Sequence, residues 1–302
     1  MDRAMINYNN GLRIIEITKT KFKLYLQLIK SRQTCLLLFT GLTGYMSARC
    51  PVLPWNTFIE LFGSLFLAIS GSTVLNMVYD RNIDAKMNRT AHRPIPSGKI
   101  SVNEALILGS SLSFLGLIWA FDLSFIYGLI VFAGLFFDVV VYTIWLKRRT
   151  AWSIVWGGIS GAMPILAGRA LGLGGIDIIG ILLSLAVLLW IPTHIITFSM
   201  RYSEDYYRAG IPTFPSTYGY KNSRLIVAVS ILCATLAIAL GLFALGLSWG
   251  YLRLLAVLTV GILGLGIVGI FRPSERINWG LFKFASLYML GSMIMVIVGV
   301  LS

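Results

Sequence analysis

Apolar runs of roughly 20 residues recur along this chain from about residue 33 to its end, separated by short polar and basic segments, and each is long enough to cross ~30 Å of hydrocarbon as a helix. The pattern predicts about nine spans, near 33–50, 57–79, 104–121, 124–146, 152–168, 176–200, 223–245, 251–271 and 279–301. Backbone groups in lipid must bond within their own segment, so the expected fold class is all-α, a polytopic membrane protein of about nine transmembrane helices. No domain linker, low-complexity tract or strict repeat interrupts the series. A single domain over 1–302 is expected, with 1–30 as a basic interfacial lead-in.

Composition supports the same class. With 57% apolar residues, 12% charged residues and a mean hydropathy of +0.81, the chain has too little polar surface for a soluble globule. The net charge of +13 would suit nucleic acid, but its distribution argues otherwise. If the N-terminus is cytoplasmic, 22 of 25 Lys and Arg fall on that face, leaving Arg49, Arg169 and Arg253 opposite. The excess is then a topology signal: N-terminus inside, C-terminus outside, no nucleic-acid role. Residues 1–30 lack an early apolar core and carry Asp2 and Glu16, which fits neither a secretory signal nor an organellar presequence, so a prokaryotic plasma membrane is expected. Cys35, Cys50 and Cys233 form no C-x-x-C pair and are expected as buried small hydrophobes.

Chemistry concentrates where the second span ends. Asn76, Asp80 and Asp84 stand four residues apart and drift only about 40° per step around a helix, so three oxygen donors share one face. Such a stripe suits a hard divalent cation, and Arg81, Lys86, Arg89, Arg93 and Lys99 behind it suit a phosphate-bearing ligand. The 201–224 loop adds Glu204 and Asp205 beside Arg201 and Arg208; two acidic clusters on one cavity could hold two cations on one diphosphate. Lys147, Arg148 and Arg149 follow the fourth span, where they serve either as ordinary topology determinants or as anion ligands. Asp138 lies ~13 Å deep, nine residues before Lys147, which demands a polar cavity or a partner. Pro192 is expected to free the Leu188 carbonyl and kink the sixth span beside His194, either a packing residue or a substrate contact. Glu60 is expected to reach the outer interface. The small residues 68–73 serve as close packing or as a smooth cavity wall, and Gly157, Gly158, Gly161, Gly261, Gly264 and Gly266 as helix contacts.

The segment NMVYDRNIDAKMNRTAHRPIPSGK at 76–99 resembles the Asp-rich signature of the UbiA superfamily of intramembrane prenyltransferases. VYTIWLKRRT at 141–150, PTH at 192–194 and DYYRAGIPTFP at 205–215 are similar to its protohaem IX farnesyltransferase branch, and weaker likeness extends to 28–32 and 281–288. The chain departs from the branch pattern at Ser31, Thr193 with Ile195, and Thr213 with Phe214, where the family usually has Pro, Pro with Phe, and Met with Leu.

The resemblance implies nine helices around a central cavity that opens sideways to lipid. It implies prenyl diphosphate and protohaem IX as substrates, haem being substrate rather than cofactor, and Mg²⁺ held by Asn76, Asp80, Asp84 and Asp205, the three carboxylates being catalytic. Arg89, Arg93, Lys147 and Arg148 would bind diphosphate, and His194 would contact the haem. Asp138, Tyr142 and Glu204 are further cavity candidates. A haem-delivering protein or a downstream haem A synthase are candidate partners. Two other readings stay open: a sister prenyltransferase acting on a quinone precursor, a chlorophyll-type ring or a glycerol phosphate lipid, and a transporter, whose site would be expected nearer the midplane than these motifs lie.

Overall fold

Four-residue spacing of polar groups within long apolar runs demands continuous helix, and helix is what forms. The computed structural model describes residues 19–48 and 54–302. The lead-in up to residue 18, and Arg49 and Cys50, lie outside the described residues. Among those described there is no strand. A short helix α1 (19–28) turns at Lys30 into α2 (Ser31–Ser47). There follow α3 (Trp55–Asp84), α4 (Val102–Leu123), α5 (Phe125–Phe136), which continues as a π-helix over Phe137–Leu146, and α6 (Ser153–Leu173). The second half comprises α7 (Ile178–Arg201), the one-turn-and-a-half α8 (Ser203–Arg208), α9 (Phe214–Ala244), α10 (Trp249–Phe271) and α11 (Glu275–Leu301).

Eight described helical segments are long and apolar enough to cross a membrane. The remaining segment, α2, has 17 residues, about 25 Å at 1.5 Å per residue, and packs against α6, α3 and α11. Its buried Thr40, Gly41, Thr43 and Gly44 are small, which lets α6 approach closely. Of four apolar clusters among the described residues, two form the main cores. One joins α2, α3, α5 and α6 around Leu61, Leu65, Tyr127 and Ala167; the other joins α7, α9, α10 and α11 around Leu183, Ile231, Ile262 and Tyr288. α6 and α7 pack together and connect the halves.

Two expectations change. The segment 201–224 is mostly helical rather than a loop: α8 fills 203–208, and α9 begins at Phe214 behind a Thr213–Ser216 capping box. Gly219, at φ 78°, kinks α9 between a short polar part and its long apolar part, and the polar part is what reads as loop in hydropathy. Cys35 is exposed rather than buried, and Cys233 is intermediate. Pro192 sits inside α7, and beside it the Leu189 carbonyl accepts a hydrogen bond from the Ser230 hydroxyl of α9, so a neighbouring helix supports the proline turn.

Candidate active site

The last two turns of α3 place Asn76, Asp80 and Asp84 on one buried face, 9%, 2% and 5% exposed. Each has a different partner. Asn76 Nδ2 donates to Thr143 Oγ1 at 2.9 Å, and Thr143 Oγ1 in turn donates to the Asp138 carbonyl at 2.7 Å. Asp80 Oδ2 accepts from Lys147 Nζ, while Asp80 Oδ1 is buried without a hydrogen-bond partner among the described residues; Arg148 Nη2 lies 3.9 Å from it. Asp84 Oδ2 accepts from Arg93 Nη1 at 2.7 Å.

The π-helical stretch Phe137–Leu146 explains how Asp138, Tyr142 and Lys147 come to face α3. Its wider turn brings residues five apart into register, and the Lys147 amide donates to the Tyr142 carbonyl at 2.8 Å. Lys147 Nζ then lies 5.3 Å from the Tyr142 ring centroid. Burial opposes the charge on Lys147, but Tyr142 and Asp80 outweigh it and raise its pKa above the ordinary lysine value. Asp138 accepts from the Ser72 hydroxyl of α3, so it both faces the cavity and ties two helices together.

The basic segment after α3 is a chain of turns pinned from two sides. Thr90 Oγ1 donates to the Asp84 carbonyl at 2.9 Å, and the carboxylate of Asp205, on α8, accepts from the backbone amides of Asn88 at 3.2 Å and Arg89 at 3.3 Å. Asp205 therefore communicates with the α3 stripe through the 88–89 backbone, standing behind the loop rather than on the cavity wall. Glu204 points away from it, exposed and paired with Arg208 one turn on. Arg89 does face the cavity, its guanidinium 5.0 Å from the Phe198 ring centroid and 5.6 Å from that of Tyr202. Arg148 turns outward, donating to the Tyr79 carbonyl at 2.8 Å and covering the Tyr79 ring.

Two adjacent cavities meet at this end of the bundle. A polar one of about 290 Å³ is walled by Asp84, Arg89, Arg93, Tyr142, Lys147 and His194. A largely apolar one of about 190 Å³ runs deeper, between Leu37, Leu65, Ala68, Ile69, Met163 and Ala167. Lys30, Gln33, Asn76 and Asp138 line both, so the chambers share a wall of four polar side chains. The small residues of α3 serve both roles foreseen for them: Ala68, Ile69, Ser72 and Thr73 form chamber wall, while Gly71 faces Ser113 of α4.

Lys30 precedes the first apolar run and Gln33 opens it, so neither carries a periodic signal. Lys30 is also the sole non-glycine residue with positive φ among those described (φ 45°), a strained conformation that turns its side chain into the cavity mouth. Burial, with help from Arg93 and Lys147, lowers its pKa to about 8, against the pull of Asp138 and Asp84. A lysine strained into place beside Arg93 and Lys147, which already pair with Asp84 and Asp80, adds a third cation suited to an anionic ligand.

Divalent-metal binding can be tested on this donor set. Among the described residues no three His, Cys, Asp or Glu side chains cluster closely enough to hold an ion alone. Yet Asn76, Asp80 and Asp84 offer hard oxygens on one face, Asp80 Oδ1 is buried without a hydrogen-bond partner, and Lys147 and Arg93 already place positive charge on the carboxylates. The residues fit a divalent cation that takes over that charge.

The model of the UbiA prenyltransferase family matches residues 37–289. A protoheme IX farnesyltransferase of Archaeoglobus fulgidus is 43% identical over 235 residues, covering 76% of this chain and 83% of the relative. Among solved structures, one described as giving structural and mechanistic insights into digeranylgeranylglyceryl phosphate synthase in membranes superposes with a TM-score of 0.79 at 23% identity, over 93% of this chain and 99% of that one. A UbiA homologue from Archaeoglobus fulgidus bound to GPP and Mg²⁺ superposes with a TM-score of 0.66 at 17% identity, over 91% and 99%. At those identities the two superpositions establish the fold, and the family match and the curated relative establish the lineage. The chain belongs to the UbiA prenyltransferase family, in its protoheme IX farnesyltransferase branch.

Proposed function

We propose that this chain transfers a farnesyl or longer prenyl group from its diphosphate to a vinyl group of protohaem IX, giving haem O and diphosphate, in a Mg²⁺-dependent reaction at the charged end of the bundle. The observation that carries the reading is the pair of chambers sharing Lys30, Gln33, Asn76 and Asp138, one lined by cations and one by apolar side chains. A prenyl diphosphate has the same division: an anionic head and a tail whose methylenes each contribute roughly 0.8 kcal/mol on burial. The name of the Archaeoglobus relative supports haem as acceptor, and the GPP and Mg²⁺ in the structural homologue support the donor and the metal.

In this reading Asn76, Asp80 and Asp84 hold the metal, with Asp205 fixing the 88–89 backbone that presents Arg89. Bound there, a divalent cation would neutralise the charge that grows on diphosphate as the allylic C–O bond breaks. Lys30, Arg89, Arg93 and Lys147 hold the diphosphate oxygens. The allylic carbon bonds to the vinyl group while diphosphate leaves with the C–O electron pair, and water adds to the resulting cation with loss of a proton. His194, on the polar chamber wall, contacts the haem iron. The basic excess of the connecting segments supports an orientation with this end at the cytoplasmic face of the cell membrane.

Mass spectrometry of haem extracted from cells that lack their own enzyme and express this chain tests the proposal. Haem bearing a hydroxyethylfarnesyl group, or its longer homologue, is the expected product. Unmodified haem, together with prenylation of an added aromatic acid or glycerol phosphate lipid, would assign a different acceptor.

A further inference from the structure

His194 is held more firmly than a packing histidine requires. Its ring is stacked on both sides, with centroids 4.8 Å from Trp190 and 4.3 Å from Phe282 and interplanar angles of 28° and 27°. Trp190 is itself fixed, since its indole Nε1 donates to the Ala285 carbonyl at 2.8 Å, and Phe282 stacks on Trp279 at 4.5 Å. The imidazole therefore has one plane available, set by α7 on one side and α11 on the other.

Its edge is fixed as well. His194 Nδ1 lies 3.2 Å from Ser286 Oγ, and Ser286 Oγ lies 3.0 Å from the Phe282 carbonyl oxygen of the preceding turn of α11. A hydroxyl has one proton, and a carbonyl can only accept. If Ser286 gave that proton to Nδ1, its oxygen would face the Phe282 carbonyl with lone pairs on both sides. Both short contacts are hydrogen bonds in one arrangement alone: Ser286 donates to the carbonyl and accepts from Nδ1–H. The neutral imidazole then carries its proton on Nδ1 and its lone pair on Nε2, which has no hydrogen-bond partner among the described residues while the side chain lines the polar chamber.

We infer that Ser286, backed by the Phe282 carbonyl, is a positioning residue that locks His194 as the Nδ1–H tautomer and so presents Nε2 to the iron of the planar acceptor. The inference rests on the reading of His194 as the iron contact and adds what prepares it. A hydrogen bond to the far nitrogen fixes the orientation of a metal-binding imidazole and raises its basicity, and its loss commonly weakens metal binding about 10- to 100-fold. Ser286 lies in the segment 281–288 of weaker family likeness, but its residue type and position assign it no role and it reads as a small residue in a span.

The test is spectroscopic titration of the purified, detergent-solubilised full-length protein with protohaem, without prenyl diphosphate. The wild type is expected to give a histidine-ligated spectrum. Ser286→Ala is expected to weaken haem binding about 10-fold and shift the axial-ligand bands, with Ser286→Thr, which keeps the hydroxyl, restoring both. His194→Ala is expected to lose the ligated spectrum. A wild-type spectrum and affinity in Ser286→Ala, with the ligated spectrum lost in His194→Ala, would overturn the role of Ser286 and leave the iron contact standing. An unchanged spectrum in His194→Ala would overturn the iron contact and the inference with it.

Discussion

Two buried ionic clusters sit in different parts of this bundle, and they are built on opposite terms. In one, Arg169 of α6 is satisfied from several directions: Nε and Nη2 each meet Asp177 at 2.6 Å in a bidentate fork, and Nη1 donates to the Ser47 carbonyl and hydroxyl. Asp177 also caps α7 through the Gly180 amide, and Arg169 holds its carboxyl below the ordinary aspartate pKa despite partial burial. In the other, at the mouth of the two chambers, Asp80 Oδ1 and Arg89 Nε are buried without hydrogen-bond partners among the described residues, and Lys30 is strained. A saturated ion pair closes three elements into a unit. An unsaturated one keeps donors and acceptors free for something else, which is the mark of a binding site in a folded protein.

The comparison breaks most readily at Asp80. Asp80→Ala should lower kcat/KM by about 100-fold or more, through loss of the metal and diphosphate it helps to hold, and should cost less stability than Arg169→Ala, because only one of its two carboxylate oxygens has a partner to lose. Substantial unfolding with residual activity intact would make the stripe structural after all. At the saturated cluster the reverse is expected: Arg169→Ala should destabilise the protein by about 2 to 4 kcal/mol, because it strands a partly buried carboxylate, and leave kcat close to wild type. Chemical or thermal unfolding alongside turnover separates the two.

The same pair gives a pH test with a fixed sign. Because the folded pKa of Asp177 is depressed, its contribution is present above the unfolded value of ~4 and drains away as pH falls through the folded one. The stability difference between wild type and Asp177→Asn should therefore narrow below about pH 4 and stay constant above it. Lys30 should show the opposite dependence in binding. Its pKa of about 8 means that it is charged, and available to an anion, below that pH. Apparent affinity for prenyl diphosphate should fall as pH rises through about 8, and Lys30→Met should bind several-fold more weakly with that step gone. The smallest effect belongs to Glu204. Exposed and paired only with Arg208, it should tolerate Glu204→Gln within about 0.5 kcal/mol and with unchanged turnover.

What the sequence made legible follows from periodicity. The α3 stripe could be read because three oxygen-bearing residues at four-residue spacing share a face once the segment is helical, and that helix runs through Asp84. The apolar runs likewise placed α4 to α7, α10 and α11 to within a few residues. Contacts across the bundle were not legible. Asp205 looked like a second cavity cluster with Glu204, but a one-turn helix sends the two carboxylates to opposite sides, one to the Asn88 and Arg89 amides and one to Arg208. The π-helix that aligns Asp138, Tyr142 and Lys147 has no simple residue signature, so their mutual register was hidden. Lys30 and Ser286 lie in the two segments of weaker likeness, but their roles were not legible, because a left-handed lysine at a helix junction is set by packing and the partner of Ser286 lies 92 residues away. Cys35 read as a buried hydrophobe but lies on the outward face of α2, where lipid or solvent suffices.

Isothermal titration of farnesyl diphosphate into the purified protein, with and without Mg²⁺, bears most directly on the unsaturated cluster. Tight, Mg²⁺-dependent binding is expected in the wild type and in Arg169→Ala, with its loss in Asp80→Ala. Binding of equal strength in chelator, or unaltered by Asp80→Ala, would contradict the assignment of the α3 stripe as the seat of metal and diphosphate.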